Sequence, residues 1–384
     1  MSEILLPNAN HLLEPYTPKS PGQFQKPTQP FTKRKLFAAA HVVADPHFSQ
    51  HQPPKLDWEA TLQYRHHLWS YGFAVAEAMD TAQRGMGLDW KTALKLINHS
   101  AIEARACGGA IAAGAGTDQL APLEQRLPSL EAIEAAYLEQ CEAIEASGAQ
   151  IILMASRHLA AVARHAGDYE RVYARVLSQT KQPVILHWLG EMFDPMLAGY
   201  WGSNDLDTAA QTVQGLIAAH ISHVDGIKIS LLDAQREIDF RRTLATGVRM
   251  YTGDDFNYAE LIQGDQFGYS DGLLGIFDAI APAASAAFQA LERDDLPSYK
   301  ALLEPTVALS RHIFETPTYN YKTGVVFLAY LNGFQSHFRM VAGMETMRSK
   351  LHFAELFRLA DLAGLLCDPD LAKQRMQQTL QGMP

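Results

Sequence analysis

Cysteine is scarce. The three present, Cys107, Cys141 and Cys367, lie far apart and show no paired metal spacing, so neither a disulfide framework nor a thiolate metal site is expected. They read as small buried hydrophobes in a reducing compartment. Long apolar runs are missing too. No uninterrupted stretch approaches the ~18 residues of a membrane span, and the start, MSEILLPNANHLLEPYTPKS, lacks a basic segment followed by an apolar core, so no secretory signal is read there. A cytoplasmic protein without a membrane partner is expected. Positive charge is in deficit: 32 Lys+Arg stand against 42 Asp+Glu, a net −10 with neutral His. Such a surface repels phosphate backbones, so no nucleic-acid partner is expected.

What is present is a globular composition, 47% hydrophobic and 19% charged over 384 residues, enough for one large domain or two ordinary ones. Pro7, Pro15, Pro18, Pro21, Pro27 and Pro30 punctuate a polar opening without hydrophobic period. Proline fixes φ and removes a backbone donor, so residues 1–34 read as an extended arm. From Lys35 short apolar runs recur at 36–43, 73–78, 109–113, 150–155, 183–188, 226–232, 248–252 and 272–277. Helical stretches separate them at 57–71, 90–106, 129–147, 166–180, 207–221 and 236–246. Strands alternating with helices pair in parallel, and eight such units in about 250 residues match a (β/α)8 TIM barrel. A doubly wound open sheet is the alternative. It usually carries a phosphate-binding glycine turn after its first strand, and AHVVADPHF has no glycine. Residues 35–285 are therefore read as the barrel and 286–384 as a C-terminal helical extension with apolar residues at three- and four-residue spacing.

Active sites of such barrels form at the carboxyl ends of the strands. That rule collects His41, Asp45 and His47, then Glu77, Asp80 and Thr81, then Gly114, Gly116, Thr117 and Asp118. Ser156, Arg157 and His158 follow, then His187 and Glu191, Lys228, Gly253, Asp254 and Asp255, and Asp278. Lys228 is the most informative, because it interrupts the apolar strand VDGIKIS and lysine is almost never buried without a purpose or a partner. An amine must be neutral to attack a carbonyl. Burial favours the neutral form, and lowering the pKa by about 3 units corresponds to ~4 kcal/mol. The other reading is a structural lysine paired with an acid such as Asp254.

The order of these segments resembles the dihydrodipicolinate synthase and N-acetylneuraminate lyase superfamily over residues 35–365. GAIAAGAGTDQL and SLEAIEAAYLEQCEAIEASGAQIILMAS resemble its third and fourth βα units, QPVILHW its fifth strand, VDGIKIS its sixth and MYTGDD its seventh. NYKTGVVFLAYLNG resembles a helix of its C-terminal region. The resemblance implies a lyase or aldolase without a cofactor or metal. Lys228 would form an imine with a small carbonyl substrate, a keto acid or a keto-sugar. Gly253, Asp254 and Asp255 would position the lysine or substrate hydroxyls, and Gly114 and Thr117 would line the entrance. It also implies a homo-oligomer, dimer or tetramer. Lys322 is read as structural or surface.

Two departures qualify this. The strand-two turn that binds a carboxylate in the superfamily is EAMDTAQRG here. Thr81 alone matches, Asp80 would repel a carboxylate, and Glu77, Asp80 and Arg84 could bond sugar hydroxyls instead. The proton-shuttling tyrosine after strand four is replaced by Ser156-Arg157-His158. His158 and His187 then stand as the proton-transfer candidates, having reference pKa values near neutrality, although either could be a satisfied structural histidine. Arg157 could hold an anion or pair with an acid. Two other classes stay open: a metal-dependent sugar isomerase, epimerase or hydrolase using His41, Asp45, His47, Glu77, His187, Glu191 and Asp254, and a non-catalytic binding barrel.

Overall fold

A computed structural model describes residues 3–47 and 55–382. After an antiparallel hairpin of β1 (Ile4–Pro7) and β2 (Leu13–Tyr16) come β3 (Leu36–Ala39), β4 (Ala74–Glu77), β5 (Ile111–Ala115), β6 (Gln150–Leu153), β7 (Val184–Leu189), β8 (Val224–Ser230), β9 (Arg249–Thr252) and β10 (Asp271–Leu274). The last eight close into a parallel barrel in chain order, with β10 beside β3. The TIM-barrel reading therefore holds and the open sheet is excluded. Closure leaves each strand covered on both faces, which is why the runs read as continuous rather than alternating.

The helices start where local chemistry predicts. Asp57, Asp89, Ser129 and Asp205 cap the helices Trp58–Ser70, Trp90–Cys107, Leu130–Ser147 and Leu206–Ala219, each accepting from a backbone N–H of the first turn. That satisfies a donor otherwise orphaned. The barrel interior is filled by Phe37 and Tyr251 against the small side chains of Ala39, Ala76 and Ala112, with Ile152, Ile185 and Leu273. A register shift between Val184 and Ile185 lets β8 change parity. Val224, Ile227 and Ile229 pack towards the helices, while Lys228 sits beside His187 of β7 and Tyr251 of β9.

Two expectations are corrected. The arm is not extended throughout: β1 and β2 pair from Ile4↔Tyr16 to Pro7↔Leu13. The hairpin buries Ile4 and Leu6, and the Tyr16 hydroxyl donates to Asp361 Oδ2 at 2.6 Å. Four-residue strands are too short for the apolar period to register. Of the cysteines, only Cys141 is buried, whereas Cys107 and Cys367 are exposed, and all three are free thiols. Cys107 is the last residue of its helix, where the side chain turns to solvent.

Five helices follow the barrel: Ile276–Glu292, Leu296–Ile313, Tyr321–Leu331, Lys350–Leu362 and Pro369–Gly382. The first of them runs across the 285/286 division. One apolar cluster joins Ile4 and Leu6 of the hairpin, Phe277 and Phe288 of that helix, and Phe357 and Met376 further on. All eleven residues of Tyr321–Leu331 are buried, and its first turn abuts the barrel mouth. Among the described residues no helix is long and apolar enough to cross a membrane.

Candidate active site

Lys228 is 5% exposed, in the middle of β8. Gly253 makes its position possible. A Cβ there would lie 2.1 Å from Ser230 Oγ and 2.6 Å from Lys228 Cε, so only glycine lets β9 pass the lysine stem this closely. Among the described residues Lys228 Nζ has no hydrogen-bond or ion-pair partner, and the pairing with Asp254 is not formed. Asp254 instead accepts from the backbone of Phe256 and Asn257 and from the Asn257 amide. Burial lowers the Lys228 pKa, against the charges of Asp80 and Asp255. Burial also pushes the Asp255 carboxyl up to about 8, with Asp254 and Asp80 adding to the rise and Lys228 opposing it. Asp255 Oδ1 accepts from Ile276 N at 2.9 Å.

Asp80 is the ionised neighbour. Burial works to raise its carboxyl, but Lys322, Lys228, His187 and the Tyr321 hydroxyl hold it below the ordinary range. Its Oδ2 accepts from the Tyr321 hydroxyl at 2.8 Å and lies 3.8 Å from Lys322 Nζ. The single hydroxyl hydrogen of Tyr321 is thereby committed, so the Thr81 hydroxyl, at 2.6 Å, donates to Tyr321. The result is a chain Thr81→Tyr321→Asp80. Lys322, read from the sequence as structural or surface, is 1% exposed and borders the cavity. Its ammonium donates to the Tyr319 carbonyl at 3.1 Å. Tyr321 and Lys322 both arrive on the appended helix. The signal was available: Lys322 opens a continuously apolar helix, the same anomaly that marks Lys228.

A cavity of about 300 Å³ opens above these groups. Asp80, His187 and Lys322 border it with Gly116, Thr117, Asp118, Arg157, His158 and Asp194, and Met86, Leu123, Met154, Phe193 and Leu197 supply apolar wall. Lys228 is not part of this lining and stands beside His187 on the neighbouring strand. Burial and the charge of Lys228 depress the His187 imidazole well below its usual range, so the ring is neutral. Its Nε2 lies 3.2 Å from Ser230 Oγ. His158 is spoken for: Nε2 donates to the Ala121 carbonyl at 3.1 Å, which leaves Nδ1 to accept from Thr117 Oγ1 at 3.0 Å. With both nitrogens engaged, the ring holds Thr117 in place.

Of the other expected site residues, Glu77 and Gly114 stay outside the cavity, while Arg84 and Arg157 border it with donors committed to the protein. Glu77 is fully buried behind it, bound by Arg65 Nη2 and Nε and by Ser100 Oγ, and cannot meet a substrate. Gly114 accepts from Arg84 Nη1 through its carbonyl and leaves room for Met154 Sδ. Arg84 spends its donors on Asp118, Gln140 and the carbonyls of Ala78 and Gly114. Arg157 Nε donates to Asp194 Oδ2 at 2.5 Å and Nη1 to the Gly85 carbonyl. The residues proposed for a metal do not converge. His41 is paired with Asp278 at 2.9 Å and Glu77 with Arg65. Among the described residues the one group with metal-ligand proximity is His312, Glu315 and His352, on the appended helices away from the cavity.

Residues 4–383 match the family described as "Protein of unknown function (DUF993)". None of the curated proteins matches the chain. Solved structures do. The first monomeric dihydrodipicolinate synthase variant aligns with a TM-score of 0.66 at 15% identity, over 88% of this chain and 100% of its own. Dihydrodipicolinate synthase from Aquifex aeolicus gives 0.64 at 14%, over 87% and 99%. The chloride-inhibited enzyme from Acinetobacter baumannii, complexed with pyruvate, gives 0.62 at 16%, over 87% and 100%. At these identities the likeness is one of fold.

Proposed function

The chain belongs to the DUF993 family, and we propose that it is a Schiff-base-forming lyase or aldolase acting on a small ketone. The observation that carries this reading is a charge count. Two buried lysines, Lys228 and Lys322, face one ionised carboxylate, Asp80. Lys322 has the direct contacts, to Asp80 and the Tyr319 carbonyl. Among the described residues Lys228 has none, and burial pushes the carboxyl of its other acidic neighbour, Asp255, up to about 8. Burial lowers the pKa of both amines, and Lys228, which lacks a direct acidic partner among the described residues, is the one assigned as nucleophile.

The chemistry follows. The Lys228 amine attacks the ketone carbon to give a carbinolamine. Uptake of a proton and loss of the carbinolamine hydroxyl as water leave an iminium, which then accepts the electron pair of a breaking C–C or C–H bond. His187, a neutral imidazole on the adjacent strand, carries protons to and from the reacting atoms. The Asp80 carboxylate faces the iminium, and the Thr81–Tyr321 chain holds that carboxylate in place. Thr117, Gly253, Asp254 and Asp255 shape the surroundings. A homo-oligomer, dimer or tetramer, and a cytoplasmic setting belong to the same proposal; sedimentation equilibrium measures the oligomer.

Incubation with a ketone panel, reduction with cyanoborohydride and peptide mapping test it. An adduct on Lys228 is expected. An adduct confined to Lys322 would move the nucleophile to the appended helix, and no adduct from any member would sink the imine mechanism.

A further inference from the structure

Resting on that reading, we infer that the cavity takes a neutral, polyhydroxylated carbonyl compound of the keto-sugar class, and not a keto acid or a sugar phosphate. The argument is the pairing of every cation at its wall. Arg84 is matched by Asp118 at 2.5 Å, Arg157 by Asp194 at 2.5 Å and Lys322 by Asp80 at 3.8 Å. Arg84 has no N–H left over, since Asp118, Gln140 and two carbonyls take all five. Glu124 also borders the cavity, and among the described residues it has no ionic partner. The wall therefore sums to about one negative charge, with His187 contributing none. A carboxylate or phosphate entering here would lose its hydration without gaining an unpaired cation, and it would face the Asp80 carboxylate.

What the wall does offer is hydroxyl chemistry. Asp80, Asp118 and Asp194 present carboxylate acceptors, and Arg157 keeps N–H groups beyond those given to Asp194 and Gly85. Such groups bond the donor and acceptor faces of a hydroxyl equally well. Phe193, Met154 and Leu197 supply the apolar surface that the C–H face of a polyol uses.

Matched probes test this. Hydroxyacetone against pyruvate, and dihydroxyacetone against its phosphate, differ mainly in charge. Cyanoborohydride trapping mapped to Lys228 should favour each neutral member by about tenfold or more at equal concentration. Asp194→Asn, which releases Arg157, should narrow that preference by raising the pyruvate adduct. Equal or better trapping of pyruvate and the phosphate would overturn the substrate class while leaving the imine intact. If no compound traps, saturation-transfer NMR of the same four decides separately. Preferential contact by the neutral pair keeps the class although the imine mechanism falls, whereas stronger contact by the anions, or none by the neutral compounds, overturns it.

Discussion

Lys228 and Tyr321 carry the predictions that belong to single residues. Lys228→Met keeps the stem and removes the amine. It is expected to abolish the trapped adduct while the melting temperature stays unchanged or rises, because a buried amine without a partner contributes nothing to stability that an apolar side chain does not. Loss of folding in circular dichroism would count against that assignment. Tyr321→Phe removes the hydroxyl joining Thr81 to Asp80. Trapping on Lys228 is expected to slow by roughly 10²-fold, in the range of a lost proton-transfer or orienting group, and an unchanged rate would remove Tyr321 from the site. Glu77 shows why a residue can mislead at this scale. It stands at a strand end, where barrel chemistry is found, but Arg65, twelve residues earlier in the chain, binds both of its carboxylate oxygens. No local pattern distinguishes a strand-end acid that faces the cavity from one that faces a helix.

At the scale of elements, β8 and β9 form one device. Lys228 is held by the close passage of β9 at Gly253, and the register shift opposite Val184 sets which face of β8 it occupies. Gly253→Ala is therefore expected to destabilise by about 2 kcal/mol through overpacking and to displace the lysine. Denaturant unfolding reads the first effect and trapping the second. Full trapping in that variant would show that the close approach does not position the amine. Behind β9, Glu237 accepts from Thr252 and Ser270, and burial pushes its carboxyl up to about 8. Asp255 rises to about 8 as well. Both groups keep their protons in the folded protein while an unfolded chain ionises near pH 4. Their stabilising contribution is thus complete below the unfolded value and is lost as pH rises through the folded one. Unfolding free energy is expected to fall between about pH 5 and pH 8 by roughly 1 kcal/mol per unit for each group. Glu237→Gln should flatten that slope, and an identical slope in the variant would reject the assignment.

For the whole molecule, barrel, hairpin and appended helices share one apolar core. The hairpin is anchored by Ile4, Leu6 and the Tyr16–Asp361 bond, and the arm beyond it by Thr32 and Lys33 on Glu292. Removing residues 1–18 is expected to cost about 3 kcal/mol or more, since Ile4 and Leu6 each contribute ~1.5–3 kcal/mol by burial, and a thermal melt measures it. The helix Tyr321–Leu331 links this core to the chemistry, because it delivers Tyr321 and Lys322 to the mouth of a barrel that ends some fifty residues earlier in the chain.

The eight strands, their parallel order and the buried lysine were legible in the sequence because they depend on neighbours along the chain: apolar runs, capping residues and a charge interrupting a strand. Tertiary structure alone decided which polar groups face one another. That Glu77 turns to Arg65, that His158 is tied to Thr117 and Ala121, and that Tyr321 and Lys322 meet Asp80 are contacts between residues distant in sequence. Such contacts are set by how helices pack on a closed sheet, and a hydrogen bond or ion pair depends on a few ångströms that no periodicity specifies.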